Sequence, residues 1–100
     1  MRFSFHPEAL TEYRDAVHFY EKHRRGLGSA FVVEVEATIQ RILESPDRWR
    51  RISQNVRSCR TRTFPYAILY SIDEGAMLVM AVMHLRRKPG YWEDRRQSPK

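Results

Sequence analysis

The sequence predicts an α+β domain: an N-terminal strand, an antiparallel helix hairpin, then a three-strand antiparallel meander with the helices covering one face. Three observations predict it. Apolar residues recur with a helical period from Glu8 to Ser45, interrupted only at Gly26-Leu27-Gly28. The period drops to two after Trp49, and the last apolar run, Ala76 to Met83, is hydrophobic on both faces.

Arg2 to Phe5 alternates polar and aromatic residues, which fits a short strand ending at His6-Pro7, because proline disfavours helix in the residue before it. Ala9, Leu10, Tyr13, Ala16, Val17 and Tyr20 then form one apolar stripe, with Glu12, Asp15, Glu21 and Lys22 assigned to solvent. Lys22, Arg24 and Arg25 complement a helix C-terminus, and Gly26 suits its left-handed cap. Ser29 is the expected N-cap of a second helix, whose buried face is Phe31, Val32, Val35, Ile39, Ile42 and Leu43, and which Ser45-Pro46 ends. Two helices with so short a joint form an antiparallel hairpin. After a loop containing Trp49, strands are expected over Val56 to Thr63, Tyr66 to Ile72 and Ala76 to His84, the last two joined at Asp73-Glu74-Gly75. The doubly apolar final strand belongs in the middle of its sheet.

One hundred residues suffice for a single domain, 1–100, and exclude large multi-step enzymes and deep cofactor cavities. The longest apolar run is far short of the ~20 residues a membrane span needs, and no secretion-signal pattern opens the chain, so a cytoplasmic protein without membrane contact is expected. Cys59 is alone, which rules out an internal disulfide and a cysteine-based zinc site; a buried, unreactive thiol is expected. His6, His18, His23 and His84 lack the spacing of a metal site, so neither metal nor other cofactor is expected.

Charge is divided unevenly. Through Asp47 the chain carries six bases and eight acids; the remainder carries twelve bases and four acids. No carboxylate lies between Arg48 and Ile72, where Arg48, Arg50, Arg51, Arg57, Arg60 and Arg62 fall. Guanidinium forks suit phosphates and carboxylates, so the partner is either nucleic acid or an acidic protein segment.

The order of these elements, with GLGSAFVVEVEATIQRILESP, VRSCRTRTFPYAILYSI and MLVMAVMHLRRKPGYW, resembles the RelE/ParE family of toxin proteins over nearly the whole chain. The resemblance implies a small toxin of a type II toxin–antitoxin system of the plasmid-stabilisation type. Its implied partner is an acidic, partly disordered antitoxin that neutralises it in a hetero-oligomer. One branch of the family poisons DNA gyrase by binding; another cleaves messenger RNA on the ribosome without a metal.

Metal-free cleavage needs a base, an acid and cations around the phosphate. His84 and Tyr91 are the candidates for proton transfer if the chain is RelE-like, and Arg57, Arg60, Arg62, Arg86, Arg87 and Lys88 for anion or target binding. Arg60 and Arg62 are expected on one strand face and Arg57 on the other. Cleaving relatives usually carry an arginine just after the turn aromatic, where this chain has Ala67, and Pro89-Gly90 before Tyr91 is a further departure. The full-length pattern together with Ala67 places the chain closer to the ParE branch. The RelE-like endonuclease, and an inactive relic that only binds antitoxin, stand as alternatives. Tyr66 and Tyr70 are assigned to sheet packing; Tyr91 and Trp92 either close the open side of the sheet or meet a partner.

Overall fold

Pro7 fixes the first boundary. In the computed structural model, which describes residues 1–96, β1 (Arg2–Phe5) ends one residue before His6, and α1 (Pro7–His23) starts on the proline. Proline is well placed at a first helical position because it has no N–H to leave unbonded. The His6 ring caps the helix, its Nδ1 accepting the Glu8 N–H at 3.1 Å.

The helix ends at His23, and Gly26, at a φ of 90°, opens α2 (Leu27–Glu44) directly. Ser29 is therefore inside the helix, not at its cap. The cap comes from the preceding helix: the Glu21 carboxylate accepts the Gly26 and Gly28 N–H groups at 3.0–3.1 Å. Gly28 is where the helices touch. A Cβ there would lie 2.8 Å from the Val17 carbonyl oxygen.

The sheet has the order β1-β5-β4-β3-β2, with β3 (Val56–Arg60), β4 (Tyr66–Asp73) and β5 (Ala76–His84) antiparallel in sequence and β1 parallel to β5. The doubly apolar β5 is flanked on both sides, as expected. The meander gains a fourth strand, β2 (Arg50–Ser53), an outer strand paired with β3. Arg50 and Arg51 thus lie on a strand, not in a loop.

Two cores result. Between sheet and helices, Phe31, Val35, Ile39, Ile42, Cys59, Ile68, Tyr70, Val79 and Val82 are buried; on the outer face, Val56, Ala67, Leu69, Met80 and Ala81 are buried under Trp92. Each fully buried side chain of this size contributes roughly 1.5–3 kcal/mol. Leu69 pairs with Ala81 but Tyr70 with Val79, so Met80 is an extra residue in β5. The bulge sends both Met80 and Ala81 to the outer face.

The outer core is closed by the C-terminal segment. Gly90, at a φ of 80°, turns the chain back, and a 3₁₀ turn, Glu93–Arg96, follows Tyr91-Trp92. The segment is fastened to α1 by Glu12: Oε1 accepts the Val82 N–H at 2.9 Å, and Oε2 accepts the Tyr91 hydroxyl at 2.7 Å and Arg95 Nη2 at 2.8 Å. Arg95 is buried and also donates to the Met80 carbonyl at 3.1 Å. β1 covers β5 only as far as Val79, so these side chains satisfy backbone groups on the stretch of edge that β1 leaves bare.

Two outcomes are expected. Gly28→Ala should lose roughly 1–3 kcal/mol in denaturant melts despite alanine's better helix propensity, because backbone lies where the methyl would go. The Tyr70 hydroxyl donates to the Pro46 carbonyl at 2.6 Å, and burial pushes its pKa up to about 12, with Arg57 opposing. A phenol pKa raised on folding stabilises the fold fully below the ordinary phenol value of 10.0 and loses that contribution as pH rises towards 12. Ultraviolet titration of the folded protein should show one tyrosine ionising near 12, and thermal stability should fall across this interval less steeply in Tyr70→Phe.

Candidate functional site

Strand register gathers the basic residues. Arg60 pairs with Ala67 and Tyr66 with His84, so the end of β3, the start of β4 and the end of β5 lie together. The corner between β3 and β4 is closed by Thr61, whose N–H donates to the Tyr66 carbonyl at 3.0 Å and whose hydroxyl donates to the Phe64 carbonyl at 2.6 Å. Glu34 of α2 accepts the N–H groups of Thr63 and Phe64. Burial alone would raise the Glu34 pKa, but these backbone donors outweigh it and hold the carboxyl below its usual value. Pro65 is joined to the far side of the corner by the Leu85 N–H, at 2.9 Å.

Arg60, Arg62, His84, Arg86, Arg87 and Lys88 therefore share one end of the sheet, where Arg50, opposite Ser58, also lies. The opposite end carries the β4–β5 turn with Asp73 and Glu74. Charge is polarised along the strands. β3 stops at Arg60, so Arg62 sits in the corner and does not extend a strand face shared with Arg60. Arg57 is set back towards the middle of the strand, and its Nη1 donates to the carbonyls of Asp47 and Trp49 at 3.0 and 2.8 Å. It ties β3 to the chain entering β2.

His84 organises the turn after β5: its Nδ1 accepts the Arg86 N–H at 3.1 Å, its carbonyl accepts the Arg87 N–H at 3.0 Å, and its ring meets Tyr66 edge-on at 5.1 Å. It lines a shallow hollow of about 250 Å³ with Tyr66, Phe19, Arg87, Glu12 and Asp15. The hollow thus holds two carboxylates, Glu12 paired with Arg95, and one guanidinium group. Tyr91 lies on the strap, its hydroxyl given to Glu12 and its ring covered by the Arg87 guanidinium, 3.8 Å from the ring centre. Burial and the bond to Glu12 push its pKa well above the ordinary phenol value, against the opposing charges of Arg95 and Arg87, so the proton stays on the oxygen.

Cys59 is buried, and burial raises its pKa although Arg41, Arg48 and Arg62 favour the thiolate. Trp49 takes the Arg48 and Arg41 guanidinium groups on its ring, at 5.0 and 5.5 Å. Among the described residues no group of three or more histidines, cysteines and carboxylates is placed to hold a metal ion, and no helix is long and apolar enough to cross a membrane.

Glu12 and Arg95 are the residues that sequence reading missed. Glu12 is three residues after Ala9 and four before Ala16, both buried, so its spacing places it beside the apolar stripe even though its charge assigns it to solvent. Arg95 follows a Pro-Gly turn in a segment without periodicity, and nothing in its surroundings marks it as buried.

The geometry agrees with what is found among known proteins. No curated protein matches. A solved structure described as "Chromosomal ParDE TA system from P. aeruginosa" contains a chain similar in fold, with a TM-score of 0.75 over 86% of this chain and 97% of that one, at 8% sequence identity. A family model described as "ParE toxin of type II toxin-antitoxin system, parDE" matches residues 3–89, which take in both helices and, but for Arg2 at the start of β1, all five strands. The chain belongs to the ParE toxin family of type II toxin–antitoxin systems.

Proposed function

We propose that this chain is a toxin neutralised by a cognate acidic, partly disordered antitoxin, and that it inhibits DNA gyrase by binding, not by cutting messenger RNA. One observation carries the choice: among the described residues, the basic end of the sheet has no base paired with a phosphate clamp. Ala67, buried on the outer face opposite Arg60, supplies no cation; Tyr91 is committed to Glu12; His84 shares its hollow with Glu12 and Asp15. Electrostatic stabilisation of a phosphorane-like transition state is worth several kcal/mol and depends on cations aimed at the reacting oxygens. Here the cations point outward.

In this reading Arg86, Arg87 and Lys88, all exposed, make the target contact together with Arg60 and Arg62. Arg57 adds charge but is tied to the backbone. His84 and Tyr91 are positioning groups: the first sets the turn that presents Arg86 and Arg87, and the second supports the Arg87 guanidinium. Such a surface speeds association with an acidic partner and weakens as salt rises.

Expression without antitoxin should arrest growth, and purified protein should inhibit gyrase supercoiling. Exchanging Arg86, Arg87 and Lys88 together for alanine should weaken inhibition by roughly tenfold or more, whereas Tyr91→Phe, which keeps the ring under Arg87, should leave it nearly unchanged. Primer extension on translated messages should show them intact. Discrete cuts in the ribosomal A site, abolished by Tyr91→Phe or His84→Ala, would establish an endonuclease instead.

A further inference from the structure

The β3–β4 corner, Thr61 to Pro65, carries Arg62 and follows directly on Arg60, yet none of its residues belongs to a strand. Much of its support comes from α2. Glu34, Thr38 and Arg41 are spaced by four and three residues, so they form one stripe along that helix. A single oxygen of Glu34, Oε2, accepts the N–H groups of both Thr63 and Phe64. Thr38, fully buried, donates its hydroxyl to the Glu34 carbonyl at 2.8 Å and accepts Arg41 Nη2 at 3.2 Å. The same Nη2 donates to the Arg60 carbonyl at 3.2 Å, and the Arg41 guanidinium lies over the Trp49 ring. The stripe therefore grips the backbone on both sides of Thr61, at Arg60 and at Thr63-Phe64.

We propose that Glu34, backed by Thr38 and Arg41, is a positioning residue for target binding: it fixes the backbone from which Arg60 and Arg62 meet the target. This rests on the reading of the basic end given above. Both arginines are exposed and neither has an ion pair among the described residues, so the backbone beneath them sets their place. Arg86 and Arg87 have a separate support, the turn organised by His84. A contact surface that is ordered before binding does not lose that freedom on binding, and affinity gains accordingly.

Charge and position pull in opposite directions at Glu34. Removing its carboxylate makes the chain more positive, which by attraction alone strengthens binding to a negatively charged surface. Loss of the corner's support weakens it.

The test measures the concentration of the purified full chain that half-inhibits gyrase supercoiling. Glu34→Ala should raise it about fivefold, and Glu34→Gln, which keeps an oxygen to accept the two N–H groups, should recover most of the loss. In an Arg60→Ala/Arg62→Ala background the effect of Glu34→Ala should disappear, whereas in an Arg86→Ala/Arg87→Ala background it should persist, because residues that act through one another are not additive. Thermal melts establish that each variant is folded. Should Glu34→Ala fail to fold, Arg41→Met, which removes the donor to the Arg60 carbonyl, should weaken inhibition about threefold with the same dependence on Arg60 and Arg62. Inhibition by folded Glu34→Ala as strong as wild type or stronger, or a loss of equal size with and without Arg60 and Arg62, would overturn the positioning role while leaving the gyrase reading in place. No inhibition by the wild-type chain would remove that reading, and the positioning role with it.

Discussion

The carboxylate of Glu12 joins three parts of the fold at one point. One oxygen takes the Val82 N–H at the edge of β5; the other takes the Tyr91 hydroxyl and the Arg95 guanidinium. A half-buried carboxylate is costly unless its lone pairs are used, and here three donors use them. Helix, sheet edge and C-terminal segment are thereby fixed with respect to each other. Arg87 and Arg95, whose guanidinium groups both lie over the Tyr91 ring, acquire defined positions from the same source. The outer core also depends on this tie, because Trp92 lies between Tyr91 and Arg95, the two residues of the segment that Glu12 holds.

Polarity along the sheet follows from register, not from composition. The chain carries a net charge of +6, which by itself says only that acidic partners are attracted. Pairing of Arg60 with Ala67 and of Tyr66 with His84 turns separate stretches of sequence into one basic end, while the β4–β5 turn places Asp73 and Glu74 at the other. A field of this kind orients a partner before contact, and it explains why Arg57, only three residues from Arg60, plays a different part. At about 3.3 Å per strand residue it sits roughly 10 Å back, and its donors are already spent on carbonyls.

Much of this was legible in the sequence, and for identifiable reasons. The helices announced themselves because the sheet covers only one face of each, leaving a clean stripe of Ala9, Ala16, Phe31, Val35, Ile39 and Ile42. β5 read as a central strand because both its faces are dry. β2 did not read as a strand: Arg50, Arg51 and Ile52 are all exposed, so no alternation betrays an element held by backbone pairing to β3 alone. The cap of α2 was misplaced at Ser29 because the actual acceptor, Glu21, comes from the other helix. The set of basic candidates was recoverable from spacing; their sorting into exposed, tied and stacked groups was not, because it depends on carbonyls and rings supplied by distant segments.

The extra residue in β5 has a consequence for how the strand's two halves are phased. Met77 and Val79 face the helices; after the insertion at Met80 that parity is inverted, and Val82 and His84 face them instead. A strand of the same length that alternated regularly through this point, with no residue bulged out, would be turned inside out beyond it, delivering Met83 to the helix side and the imidazole to the outer side. The location of the histidine is thus a matter of counting along β5 from the bulge.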